Sequence, residues 1–176
     1  RYRLLESARD YALHQLAERH ELDAAEERFA RAMNSVMERF DEARWTTPDM
    51  SLLSAFAREL DNVRLAIGWS LEHDPRLATA LVGASSYFYV LLNLTHEHER
   101  YADVLEPLVV SSDATDVITA RYWLARALDQ TNSGFESVRA GERAASLFRA
   151  LGDERGVAAS LCLLGICQDY SVAQWS

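Results

Sequence analysis

From Leu77 to Thr95 the chain runs for nineteen residues without an Asp, Glu, Lys or Arg. A run of that length and character has two homes, a bilayer or the middle of a protein. Thr79, Ser85, Ser86 and Asn93 interrupt its hydrophobicity and amphipathic segments flank it on both sides, so a protein interior is expected. Gly83, Ala84 and Ser85 would let a neighbouring helix come close, while Tyr87, Phe88 and Tyr89 supply bulk further along. Asp74-Pro75 immediately before the run reads as a helix cap followed by proline at the first helical position.

The segments on either side carry helical periodicity. Leu60, Val63, Ile67 and Leu71 draw one apolar stripe through Glu59 to Leu71, and Asp61-Asn62 in its first turn offers side chains that cap free backbone N–H groups. Upstream, Leu5, Ala8, Ala12 and Leu16 set one helix. Leu22, Ala25, Phe29, Ala32, Val36 and Phe40 set a second, expected to stop near Trp45. Thr47-Pro48 predicts a capped start for a third helix, whose residues Leu53, Phe56 and Leu60 lead into the central stretch with a hinge at Asp61. Arg1 to Leu4 alternates as a short strand would. Seven Gly and three Pro in 176 residues leave few turns, so the expected fold is all-α.

Downstream, Glu97 to Leu105 predicts a short helix that Pro107 ends or kinks, because proline removes a backbone donor and crowds the preceding turn. Helices are expected at 115–129, 135–151 and 154–169, separated by Thr131-Asn132-Ser133-Gly134 and Leu151-Gly152-Asp153. Trp123 matches Leu161, Ala127 matches Gly165 and Gln130 matches Gln168, each at a spacing of 38 positions. A large residue, a small one a turn later and a polar one at the helix end is the pattern of stacked helix pairs, near the tetratricopeptide period. The predicted architecture is an α-solenoid of antiparallel helix pairs over 58–176. A helical lead-in over 1–57 precedes it, expected to follow an N-terminal domain outside this segment, with the repeats cut short at the C-terminus.

Charge and residue types exclude several functions. The formal charge is -9, with 18 basic residues against 27 acidic, which opposes direct binding to a phosphate backbone. Every basic residue is Arg, so no P-loop lysine or Schiff-base lysine exists in the segment. Cys162 and Cys167 suit a buried pair of thiols in a reducing compartment better than a zinc site. His96-Glu97-His98-Glu99-Arg100 places Arg where a zinc-protease helix needs its second His, so a solvated helix start is expected there. His14, His20 and His73 stand alone near helix ends, and Ser85-Ser86 lacks the glycines of a nucleophile elbow. No catalytic residue, metal ligand or cofactor is assigned, and the protein is expected to be cytoplasmic and not an enzyme.

RYRLLESARDYALHQLAE at the start, ELDNVRLAIGWSLEH in the middle and SLFRALGDERGVAASLCLLG near the end resemble a known group. They look like the helical and tetratricopeptide region that follows the winged-helix domain in bacterial STAND-class signalling ATPases, among them LuxR-type and antibiotic-pathway transcriptional regulators. The more specific parts are Asp61-Asn62-Val63-Arg64 and the Leu-Gly-Asp loop, while residues 95–112, with Pro107, depart from the group's pattern. The resemblance implies that nucleotide and DNA binding belong to other domains of the polypeptide. This segment would then be a regulatory module for transcription and signal transduction that binds a protein or small effector. A stand-alone tetratricopeptide adaptor is the alternative, and a membrane-associated helical bundle comes third.

The expected interaction groove lies on the first helix of each repeat. Ala120 and Ala158 as first positions bring Arg121, Leu124, Leu128, Ala159, Cys162 and Ile166 to a mostly apolar surface suited to an amphipathic helix. Leu161, Leu164 and Trp175 would lack cover at the unfinished last repeat, so a two-fold homodimer through the C-terminal helix is expected.

Overall fold

The computed structural model describes residues 6–112, 114–129 and 135–173. Every regular element among them is helical. In chain order these are α1 (Glu6–Glu18), α2 (Leu22–Ala43), α3 (Asp49–Phe56), a 3-10 turn (Ala57–Glu59), α4 (Leu60–His73), α5 (Pro75–Leu91), α6 (Thr95–Ser111), α7 (Val117–Asp129), α8 (Phe135–Leu151) and α9 (Glu154–Ala173). The strand expected at Arg1 to Leu4 and the turn at Thr131 to Gly134 fall outside the described residues.

The uncharged run becomes α5, the central helix of the first part of the bundle. It meets α2, α4, α6 and α7, and eleven of its residues from Leu77 to Tyr89 are buried. At seventeen residues it is a core helix; among the described residues no helix is long and apolar enough to cross a membrane. Gly83 explains one close contact: a Cβ there would sit 3.0 Å from Arg121 Cβ and 3.2 Å from the backbone of Tyr122, so α5 and α7 approach through the missing side chain. The small-residue expectation holds at Gly83.

Three of the inter-helix turns are built alike. His20, Asn93 and Gly152 adopt left-handed φ of 57°, 57° and 71°. The next residue's N–H reaches back five positions in each case: Glu21 to Leu16 O (2.9 Å), Leu94 to Tyr89 O (2.9 Å) and Asp153 to Phe148 O (3.0 Å). This arrangement satisfies the last carbonyls of α1, α5 and α8 and turns the chain at once into the next helix.

Several local expectations need correction. On α2 the buried residues are Ala30, Met33, Met37, Phe40 and Asp41, whereas Phe29 and Ala32 are exposed, so the buried face is rotated from the predicted stripe. Thr47 does not cap α3, which starts at Asp49 after Pro48, and the break expected at Asp61 is the 3-10 turn at Ala57–Glu59. Pro107 lies inside α6, which continues to Ser111. Asp103, whose carbonyl loses its helical donor to Pro107, is exposed, as is Pro107 itself, so water can satisfy that group. In α4, Val63 and Ile67 are fully buried while Leu60 and Leu71 pack at the edge of the core, as their spacing predicts. Asp61 does not cap α4: its carboxylate lies 3.2 Å from the Arg64 guanidinium and is 87% exposed.

Asp74, unlike Asp61, does cap its helix. Its Oδ1 accepts from Leu77 N–H at 3.0 Å, with Pro75 at the first helical position. Asp74→Ala is expected to cost about 1 kcal/mol and Asp61→Ala less than about 0.5 kcal/mol. Urea unfolding of the two variants checks this; equal losses would mean that the caps are misassigned.

The match at 38 positions is unequal in its burial. Trp123 and Ala127 are buried on α7, which is enclosed by α5, α6 and α8. Their counterparts on α9 are open: Leu161 is 48% exposed, and a Cβ on Gly165 would meet nothing within 4 Å. Here α9 presses Val157, Ser160, Leu163 and Leu164 inward against α8 and α7, with Leu164 seated on Gly141.

Candidate functional site

A cleft enclosing about 180 Å³ opens where the end of α2, the middle of α5, the start of α7 and the α8–α9 turn converge. Its floor is Gly83, Ser86, Leu124, Phe148 and Gly156, and its walls carry Asp41, Glu42, Arg44, Trp45, Arg121, Asp153 and Arg155. The volume is below the roughly 300–1,000 Å³ of clefts for drug-sized ligands, which leaves room for a small molecule or one side chain.

Local structure sets each wall. Arg44 follows the last turn of α2, where a cation suits the negative end of the helix dipole; its backbone N–H donates to Phe40 O. Its guanidinium lies over the Trp45 ring at 4.7 Å and the Tyr87 ring at 5.3 Å, and Tyr87 is held by donating to Asp49 Oδ1. Arg121 is delivered by the close α5–α7 contact at Gly83. Asp153 Oδ1 accepts from Gly156 N–H at 3.0 Å and so caps α9. Only glycine fits at 156, since a Cβ would fall 2.3 Å from the buried Phe148 ring.

The ionised groups meet at Asp41, buried apart from 12% of its side chain. Arg44 Nε lies 2.9 Å from its Oδ1, close but without hydrogen-bond alignment, and Arg121 Nε lies 3.5 Å from its Oδ2. Burial pushes the Asp41 carboxyl above its ordinary range despite both arginines, and burial likewise lowers the Arg44 guanidinium. Both shifts say that this group of charges is poorly solvated and only partly compensated by itself. At the mouth, Arg155 pairs with Glu42 at 2.6 Å, joining the start of α9 to the end of α2 through two exposed side chains.

Of the groove residues predicted from helix positions, the structure brings Arg121 and Leu124 into this cleft. Leu128 is half-buried on α7, and Cys162 and Ile166 are exposed on α9 away from it. The cleft is therefore charged where a mostly apolar groove was expected. Counting repeat positions overlooked α2, which supplies Asp41, Glu42, Arg44 and Trp45. Cys162 is also exposed where a buried thiol was expected. No protein-family model, curated protein or solved structure matches the chain.

A further pair of titratable side chains is buried elsewhere. His98, expected on a solvated helix start, is fully buried. Its Nδ1 lies 2.8 Å from Asp129 Oδ2 and its Nε2 lies 2.9 Å from Val82 O, so α5, α6 and α7 meet at one imidazole. Neighbouring His96 is exposed, and Glu97 accepts two hydrogen bonds from Arg64 at 2.7 and 2.6 Å, which hold its carboxyl below its ordinary range. Among the described residues no group of three or more His, Cys, Asp or Glu is placed to hold a metal ion.

Proposed function

We propose that this segment is a non-catalytic regulatory module whose cleft receives a protein partner or small effector, and that it works within a bacterial STAND-class signalling ATPase or transcriptional regulator. The observation that carries the reading is the cleft itself. It gathers ionised and aromatic side chains from Asp41 to Gly156, so an occupant would touch the lead-in helices and the last described helix at once. Occupancy there changes the relative stability of two ends of the segment, which is what a relay to attached domains requires.

The helix contacts support a tetratricopeptide-like reading of the architecture. In it α2, α5, α7 and α9 form one layer of a solenoid, with α4, α6 and α8 as their partners. The packing of α5 on α2 and α7, and of α8 between α7 and α9, follows that order. A stand-alone adaptor has the same helical layer and differs in what is attached. The native gene separates them: a nucleotide-binding loop followed by a winged helix upstream of Arg1 supports the regulator. For the segment itself, calorimetric titration with ATP is expected to give no saturable heat. Stoichiometric ATP binding would overturn the assignment of nucleotide chemistry to other domains.

A further inference from the structure

The interior of the cleft is short of acceptors. Among the described residues, Asp41 is the only ion-pair partner of Arg44 and of Arg121. One carboxylate thus serves two guanidinium groups that carry five N–H donors each. Arg44 is the more confined of the two, with 11% of its side chain exposed and its Nε lacking an aligned acceptor. Buried donors in that condition favour any acceptor that enters.

The other acids near them are engaged elsewhere. Asp153 accepts from the first turn of α9, and Glu42 is taken by Arg155 at the mouth. Both still contribute negative potential around Asp41. Such surroundings tolerate one added negative charge better than two, which favours a carboxylate over a phosphate dianion. Trp45 on the rim and Phe148 on the floor offer apolar surface beside the arginines.

Taking the cleft as the module's binding surface, we infer that it binds a small monocarboxylate, the carboxylate oxygens between Arg44 and Arg121 and the apolar body against Trp45 and Phe148. Arg–carboxylate pairing is bidentate where geometry allows, which gives orientation as well as affinity. The same chemistry is available from a free acid or from a single carboxylate side chain on a partner peptide. Glu42 and Arg155 line the mouth as an ion pair, so loss of Glu42 frees a third guanidinium beside the ligand.

The test is a titration of the 15N-labelled 176-residue chain with benzoate, with inorganic phosphate and with an end-capped peptide containing one Glu, followed on the Trp indole and Arg Nε–H signals. Saturable shifts with benzoate or with the peptide are expected, and whichever saturates identifies the source of the carboxylate. Arg121→Gln is expected to weaken binding by about tenfold, and Glu42→Gln to tighten it by about two- to threefold. If Arg121→Gln does not fold, Arg121→Lys carries the same test, since it keeps the charge and loses the fork. No saturable shift with either carboxylate, phosphate binding as tightly as benzoate, or unchanged affinity in the Arg121 variant would each overturn the proposal. Such a failure leaves the ATP result untouched, so it removes this ligand class without removing the module reading.

Discussion

Asp129→Ala is expected to remove about 3–5 kcal/mol of stability, the usual loss when one member of a buried pair is deleted. Both side chains of the His98–Asp129 pair are fully inaccessible. Val82 O can only accept, so His98 Nε2–H donates to it, and Nδ1 faces the two Asp129 carboxyl oxygens at 2.9 and 2.8 Å. Removing the carboxylate strands a polar ring nitrogen between α6 and α7 with no route to water. A domain with a typical stability of about 5–15 kcal/mol would lose a large part of it. His98→Leu combined with Asp129→Leu should recover much of the loss, because two apolar groups of similar bulk leave nothing unsatisfied but Val82 O. Urea unfolding measures both effects. A loss below about 1 kcal/mol in Asp129→Ala would mean that the pair does not clasp these helices.

The helical framework was legible because its signals are local. Asp74-Pro75, the Leu-Gly-Asp loop and the Leu60 to Leu71 stripe each act within a single short stretch of chain, and the structure has them where the residues place them. Asn93 and His20 make the same left-handed turn as Gly152 without glycine, so that turn was harder to see in the sequence. The pairings were not legible. Nothing near His98 announces Asp129, which lies 31 positions away, and Arg155 meets Glu42 across 113 positions. The cleft was missed for the same reason: its charges come from α2, α7 and the α8–α9 turn, brought together by the packing of α5 on α2 and α7 and of α8 and α9 on α7. Sequence periodicity put Arg121 and Leu124 on one face with an apolar setting, since it saw their own helix and not Asp41 and Arg44, which line the same cleft.

Phe40→Ala is expected to cost about 3–5 kcal/mol, whereas Phe29→Ala should cost less than about 1 kcal/mol, although the two residues sit on one helix and share one apolar stripe by spacing. The difference comes from what each ring touches. Phe40 is fully buried and lies 5.3 Å from both the Phe56 and the Phe88 ring, edge-to-face at interplanar angles of 80° and 70°. It therefore fixes α2 against α3 and α5, and a cavity there loses ring contacts on two sides. Phe29 is 36% exposed and, among the described residues, makes no such ring contact. Phe40 also precedes Asp41, and its carbonyl accepts the Arg44 N–H, so slack at the ring loosens the turn that aims both charges into the cleft. Thermal or urea unfolding of the two variants tests the rotation of the buried face of α2. Comparable losses would restore the predicted stripe and move Asp41 and Arg44 out of the cleft.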